Sequence, residues 1–168
     1  MGDVTLREAT GDDAAALAAA YRDAYRANRE LGFPATAGAA TAEQVAEWIR
    51  EDRVFVAESD GELIGGVRLE HVDAAESPVR RAAGADATVK LSRLGVRERW
   101  KGEGVGSRLL ERAERAAREA GYAAVWLTTP DEHPFLPEFY HAHGYEVMGD
   151  YPLSVRDYDE VVMEKSLE

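Results

Sequence analysis

Leu94-Gly95-Val96-Arg97-Glu98-Arg99-Trp100-Lys101-Gly102-Glu103-Gly104-Val105-Gly106-Ser107-Arg108-Leu109-Leu110 is the stretch from which the rest of the chain becomes readable. An apolar, strand-like run over 88–96 enters a loop with three alternating glycines, and the loop opens directly onto an amphipathic helical pattern over 103–120. Glycines in such a loop let backbone approach a ligand closely, and the first-turn N–H groups of a helix have no partners of their own. An anion, above all a pyrophosphate, is the natural occupant. Between Arg93 and Lys101 there are four basic residues and one acidic, a local excess of positive charge in a chain whose net charge is −12.

Two common phosphate loops do not fit. A Walker loop needs Lys followed by Ser or Thr after its last glycine, whereas Gly106 is followed by Ser107-Arg108. A dinucleotide pattern begun at Gly102 would need its third glycine at Ser107, and one begun at Gly104 would need it at Leu109. The stretch also lies late in the chain instead of at the start of a βαβ unit.

Working outward, Leu17, Ala20, Tyr21, Ala24 and Tyr25 recur at helical spacing within 14–29, after the helix-starting run Thr10-Gly11-Asp12-Asp13. Gly32-Phe33-Pro34 ends that helix, and Thr41 caps a second one running to Ile49 with Val45, Trp48 and Ile49 as its apolar stripe. Residues 53–58 and 62–72 read as strands turned at Asp60-Gly61, a strong hairpin signal. A polar, Ala-rich loop is expected over 73–84. Beyond the central helix, which stops at Gly121, come a doubly buried strand over 123–129, a short helix over 136–143, and closing strands at 145–148 and 160–165. With a first strand at 4–8, this is a mixed α/β sheet. No repeat or long linker divides the 168 residues, so one domain spanning 1–168 is expected.

Composition narrows the partners. A chain with 32 acidic and 20 basic residues is a poor broad-surface binder of nucleic acid or anionic lipid. Only Lys90, Lys101 and Lys165 are lysines; strong acidity with few lysines fits either a high-salt cytoplasm or a GC-rich genome. The absence of cysteine excludes disulfides, thiolate metal sites and a Cys nucleophile. No apolar run approaches the roughly 18 residues of a membrane span. The start of the chain lacks signal-peptide character, and Leu6 stands where a myristoylation motif needs Ser or Thr. A cytoplasmic protein is expected. His141 and His143 lie two apart on a short helix with no third ligand nearby, so no metal site is expected.

Lys101-Gly102-Glu103-Gly104-Val105-Gly106 resembles the acyl-CoA signature of the GNAT superfamily of N-acetyltransferases: Arg or Gln, two residues, Gly, one residue, then Gly or Ala. Lys101 is the one departure. Leu94-Gly95-Val96 looks like the strand end that pairs with the pantetheine arm in that family, and Glu138-Phe139-Tyr140-His141-Ala142-His143-Gly144-Tyr145 resembles its downstream aromatic block. The resemblance covers nearly the whole chain. It implies a central, mixed but largely antiparallel sheet of about six to seven strands with about four helices. It also implies acetyl-CoA as cosubstrate, held by Leu94, Gly95, Val96, Lys101, Gly102, Glu103, Gly104, Val105, Gly106 and Ser107.

On this reading Tyr140 matches the position that protonates the departing thiolate, and a backbone N–H near Leu94 to Val96 stabilises the oxyanion. His133 stands where the family usually has an Asn seven residues before the Tyr, and it can donate a similar hydrogen bond to the cofactor arm. No carboxylate lies on the strand at 88–93; Glu70, His71 and Ser92 are candidates for handling the amine proton. In this fold the acceptor pocket is walled by the first two helices and the last strand loop. Its candidates are Tyr25, Asn28, Arg29, Phe33, Tyr151, Arg156, Tyr158 and Asp159, with Asp150, Asp157 and Glu160 as further negative charge. The acceptor is a primary amine of a small molecule or protein, and a homodimer is compatible with the pattern. A non-catalytic acyl-CoA sensor of the same fold is the competing reading; a mononucleotide-binding domain is a third.

Overall fold

The computed structural model describes residues 3–26, 30–32, 40–70, 88–151 and 160–167. Seven strands form one sheet: β1 (Thr5–Glu8), β2 (Arg53–Ser59), β3 (Glu62–Glu70), β4 (Thr88–Val96), β5 (Ala124–Pro130), β6 (Glu146–Tyr151) and β7 (Glu160–Ser166), in the order β1-β2-β3-β4-β5-β7-β6. Every pairing is antiparallel except β4 with β5. Four α-helices accompany it among the described residues: α1 (Ala14–Ala24), α2 (Ala42–Glu51), α3 (Val105–Glu119) and α4 (Leu136–Ala142). The mixed, largely antiparallel sheet and the helix number agree with the expectation.

The two faces of the sheet are built from alternation. On β2, Val54 and Val56 join Leu17, Tyr21 and Val45 of α1 and α2 in one core, while Phe55 and Ala57 join Leu109, Leu110 and Ala113 of α3 in the other. Thr41 caps α2 as expected, its hydroxyl accepting from Gln44 N–H at 3.2 Å while Gln44 reaches back to Thr41 N–H at 3.1 Å. The hairpin turn is also where the sequence put it, with Asp60 and Gly61 both left-handed (φ 52° and 79°).

Several boundaries differ. The first helix ends at Ala24, with Tyr25 as its C-cap, and 27–29 lie outside the described residues. The helix expected from 103 begins at Val105, because Gly104 takes φ 81° and Glu103 sits in the preceding turn. Glu114 of α3 is not on the solvated side: it is buried, accepts from Tyr145 Oη at 2.9 Å and meets Lys165 Nζ at 3.0 Å. That network ties α3 to β7 and to the start of β6, and a charge so placed is tolerated only because both partners are present. The loop expected at 73–84 lies outside the described residues.

A glycine pair in β3, unremarked in the sequence, sets how closely the helices approach. A Cβ on Gly66 would come within 2.7 Å of Leu17 Cδ1, and one on Gly65 within 2.7 Å of Gly95 O. Glycine inside a strand commonly marks such an approach.

Candidate active site

The sheet opens where β4 and β5, the one parallel pair among the described residues, meet. β4 and β5 are in register only over Thr88–Lys90 and Ala124–Trp126, yet β4 runs on to Val96 and β5 to Pro130. Past Lys90 the two strands diverge, so Gly95 and Val96 pair with Gly66 and Gly65 of β3 but have no partner on the β5 side. A cleft of about 560 Å³ occupies the gap, within the range of small-ligand sites. Leu94, Gly95, Val96, Lys101, Gly102, Gly104, Val105, Gly106 and Ser107 all line it, together with Tyr140. The structure therefore gathers most of the predicted set in one place; Glu103 and His133 do not line the cleft.

At the outer end of the cleft stands the N-terminus of α3. Its N-cap, Gly104, is left-handed and offers no side-chain cap, and the first turn contains no acidic residue. Both usual means of satisfying these N–H groups are missing, which leaves them for a ligand. A Cβ on Gly106 would meet only Phe139 Cζ and Val96 Cγ2, at 3.8 Å each, so the protein's own packing does not require glycine there. The space in front of this backbone suits a diphosphate.

The neighbouring cations are engaged otherwise. Arg97 Nε donates to Leu63 O at 2.8 Å, and Arg99 pairs with Glu62. Lys101 Nζ donates to Ala24 O at 3.0 Å and meets Glu98 at 2.9 Å. Lys101 thus closes the C-terminus of α1, where a cation offsets the helix dipole. These partners come from β3, from α1 and from the strand-to-helix turn itself, and the local charge excess is used mainly to fasten the loop.

Ser107 is held by α4. His143 Nδ1 lies 2.8 Å from Phe139 O, a carbonyl that can only accept, so Nε2 accepts from Ser107 Oγ–H at 2.9 Å in the neutral ring. His141 likewise faces a backbone carbonyl, Tyr145 O, at 3.3 Å. Both histidines serve to seat α4.

The inner end of the cleft is aromatic. Tyr140 on α4 is buried, edge-on to Phe139 and Tyr145. Its hydroxyl has no hydrogen-bond partner among the described residues. Burial, reinforced by the Tyr25 phenol nearby, raises its pKa well above that of a free tyrosine, so it holds its proton at neutral pH. Phe139, read from the sequence as core, also lines the cleft. Tyr25 faces these groups from the end of α1; its hydroxyl donates to Leu94 O at 2.6 Å, and burial pushes its pKa up to about 12. Tyr25 was expected on the acceptor side, but its anchoring of β4 was not legible, since the bond spans 69 positions of sequence.

His133 makes a contact within the chain that the sequence did not show. Its Nδ1 accepts from Phe135 N–H at 3.1 Å and Leu136 N–H at 3.2 Å, capping the start of α4. Burial, with a smaller push from the Lys101 charge, lowers its pKa below the ordinary histidine value.

Of the candidates for the amine proton, Glu70 is occupied by Arg68 at 3.7 Å and Lys90 at 3.8 Å. Ser92 Oγ is buried with no hydrogen-bond partner among the described residues, and His71 lies outside them. Asn28, Arg29, Phe33, Arg156, Asp157, Tyr158 and Asp159 also lie outside them, as does the side chain of Tyr151. Glu160 is buried at the start of β7, and Asp150 sits opposite Val161 on the edge strand β6.

A sheet splayed at its parallel pair, with a glycine-loop helix N-terminus at one end of the gap and a protonated tyrosine at the other, defines an acyl-CoA-dependent acyltransferase fold. The chain matches the model of the acetyltransferase (GNAT) family over residues 16–145, and it belongs to that family. It is 29% identical over 150 residues to the S-alkylcysteine N-acetyltransferase of Bacillus subtilis (strain 168), a match covering 88% of this chain and 81% of that one. It is likewise 29% identical over 146 residues to the S-(2-succino)cysteine N-acetyltransferase of the same organism, covering 86% and 84%. Among solved structures, the PaiA N-acetyltransferase of Thermoplasma acidophilum in complex with coenzyme A superposes with a TM-score of 0.75 at 18% identity, covering 98% of this chain and 99% of that one. The acetyltransferase yncA of Salmonella typhimurium with its cofactor acetyl-CoA also gives 0.75, at 21% identity and over 98% and 94%. At these identities the structures establish the fold. Among the described residues no helix is long and apolar enough to cross a membrane.

Proposed function

We propose that this protein is an N-acetyltransferase that moves an acetyl group from acetyl-CoA to the primary amine of a small molecule, by direct attack on the thioester, with residues 1–168 acting as one domain. The observation that carries the reading is the juxtaposition in one cleft of the uncapped α3 N-terminus, the end of β4 that has no partner on its β5 side, and the buried Tyr140, whose hydroxyl has no hydrogen-bond partner among the described residues. Acetyl-CoA supplies an activated acyl carbon with a thiolate leaving group. The amides of Val105, Gly106 and Ser107 hold its diphosphate, and Leu94 to Val96 pair with its pantetheine arm. A backbone N–H at the end of β4 receives the negative charge that forms on the carbonyl oxygen when the amine nitrogen attacks. As the carbon–sulfur bond breaks, Tyr140 gives its phenolic proton to the sulfur. The amine loses its proton to solvent, directly or through water held by Ser92, and solvent returns a proton to Tyr140. The products are an amide and free coenzyme A.

Small-molecule acceptors are favoured over protein amines because the two curated relatives act on S-substituted cysteines. The test is thiol release from acetyl-CoA on adding members of an amine panel that includes S-substituted cysteines, other amino acids and Lys-containing peptides. Release stimulated by one class, with the N-acetyl product seen by mass spectrometry, supports the reading. Acetyl-CoA binding with no release for any amine would leave a sensor instead.

A further inference from the structure

Immediately inward of the cleft, β4 carries a defect with a chemical consequence. Arg68 pairs with Ser92 and Gly66 with Gly95, so two residues of β4, Arg93 and Leu94, stand opposite the single residue Val67. This is a bulge, and Arg93 pays for it with a left-handed φ of 53°, unusual for a residue that is not glycine. The bulge breaks the alternation of the strand. Ser92 shares the face of its cross-strand partner Arg68, whose guanidinium lies 5.1 Å from the Trp48 ring centroid; Arg93 lies over the same ring, also at 5.1 Å. Two consecutive side chains, Ser92 and Arg93, are thereby brought to the α1/α2 face.

Among the described residues the charges on this face do not balance. Arg68 is bound by Asp52 at 2.8 Å, and Lys90 and Arg68 both meet Glu70. Arg93 has no carboxylate and no hydrogen-bond acceptor among the described residues, and its Nε is buried. The Tyr21 hydroxyl and Ser92 Oγ, on the same face, are also buried without partners. Buried polar atoms are rarely left so, and the half-buried guanidinium of Arg93 has room for an anionic partner. Arg112 also leaves an Nη1 unpartnered among the described residues, but it lies over Phe55 in the core on the α3 face. Arg93 is one residue from Leu94, which lines the cleft, and its charge lowers the pKa of both Tyr21 and Tyr25, against the larger upward push of burial.

We infer that Arg93, held on Trp48 by the β4 bulge, binds the carboxylate of the acceptor, and that the acceptor is therefore an α-amino acid whose amine is presented to the thioester beside Leu94 and Gly95. A planar guanidinium is suited to take a carboxylate through two parallel bonds, which fixes the direction of the amine as well as its distance. Ser92 Oγ and the Tyr21 hydroxyl supply further hydrogen bonds on the same face. This inference rests on the acetyltransferase reading and narrows its acceptor to a class.

The experiment compares S-methylcysteine with its methyl ester and with 2-(methylthio)ethylamine, alongside a panel of other α-amino acids, in wild type, Arg93→Gln and Arg93→Lys. The ester and the decarboxylated amine keep the nucleophile but lose the carboxylate. Wild type is expected to prefer the acid in kcat/KM by roughly 10- to 100-fold, the loss typical of a bond to a charged group. The preference collapses in Arg93→Gln, mainly through KM, and is partly restored in Arg93→Lys. Acetyl-CoA titration by calorimetry shows whether each variant is folded and able to bind cofactor. Equal use of acid and ester by wild type would overturn the proposal without any variant. So would an Arg93→Gln protein that binds acetyl-CoA and keeps the preference. If no amine is turned over, amino acids are titrated into the CoA-loaded protein: binding lost in Arg93→Gln keeps the carboxylate site while the acetyltransferase reading fails, and no binding of any amino acid ends both.

Discussion

At the scale of single residues, chemical identity and surroundings separate two kinds of glycine and two kinds of tyrosine. Gly104 is left-handed, so Gly104→Ala should destabilise the fold by about 1–2 kcal/mol. Gly106 is helical, and a Cβ there would touch nothing closer than 3.8 Å. Gly106→Val should leave the melting temperature nearly unchanged while weakening acetyl-CoA binding by about tenfold or more, because its branched side chain, larger than the Ala that the family signature admits, stands where the diphosphate must approach. Melting curves and calorimetry on the two variants distinguish backbone strain from ligand clash. Tyr140→Phe should lower kcat by about 10²-fold or more with little change in KM for acetyl-CoA, since the proton is needed only as the thiolate departs. Because the Tyr140 pKa is raised, its neutral form persists across pH 6 to 9, and the wild-type rate should show no alkaline fall in that window from this group. Steady-state kinetics across that range test both points. The motifs that hold Tyr140 and the glycines are local and legible, and the fold brings both to the cleft; the places of Tyr25 and Arg93 were not legible, because a distant carbonyl and a strand bulge set them.

At the scale of elements, α4 depends on a side chain outside it. The helix spans only seven residues and has no side-chain cap at its N-cap, Phe135; His133 Nδ1 receives two of its leading N–H groups instead. Protonating that nitrogen removes the acceptor. The His133 pKa is depressed in the folded state, so its contribution to stability is complete above the unfolded value of about 6.5 and is lost as pH falls through the lower folded value. Hydrogen exchange corrected for intrinsic rates should therefore show Phe135 and Leu136 amides losing protection between pH 7.5 and 5. In His133→Asn, whose amide oxygen accepts without titrating, that pH dependence should disappear. Since α4 carries Tyr140 and seats Ser107 through His143, the same loosening should lower activity on the acid side. The amphipathic stripe of α3 was readable from its spacing, whereas buried Glu114 was not: its partners, Tyr145 and Lys165, arrive from 31 and 51 positions away.

At the scale of the whole molecule, the cleft is a gap in the sheet bounded by α1, β4, α3 and α4. A ligand filling it touches elements from both halves of the chain and binds only the folded form. Saturation at about a hundredfold over the dissociation constant should add about 2.7 kcal/mol, raising the melting temperature of acetyl-CoA-loaded protein by roughly 5–10 °C. A scanning-calorimetry trace unmoved by acetyl-CoA would contradict the assigned cleft. Gly95 adds a second test, because a Cβ there would lie 2.8 Å from Tyr25 Cε2 and 3.2 Å from Ala24 Cβ. Gly95→Ala should push α1 off β4 at a cost of about 1–3 kcal/mol and weaken acetyl-CoA binding through the displaced Tyr25.

The sequence by itself determined the order of elements, the hairpin at Asp60-Gly61, the capped second helix and the glycine loop opening onto α3. All of these are set by chemistry within a few residues: left-handed turns, side-chain caps and helical or alternating hydrophobicity. Tertiary structure alone decided that β4 and β5 part after Lys90, that Arg97, Arg99 and Lys101 reach partners on β3, α1 and the turn, and that His133 caps a helix. It also placed Arg93 on Trp48 with no counter-charge among the described residues. Those outcomes depend on which distant backbone carbonyl, ring or carboxylate a side chain reaches once the sheet has closed, and no local pattern of residues encodes that distance.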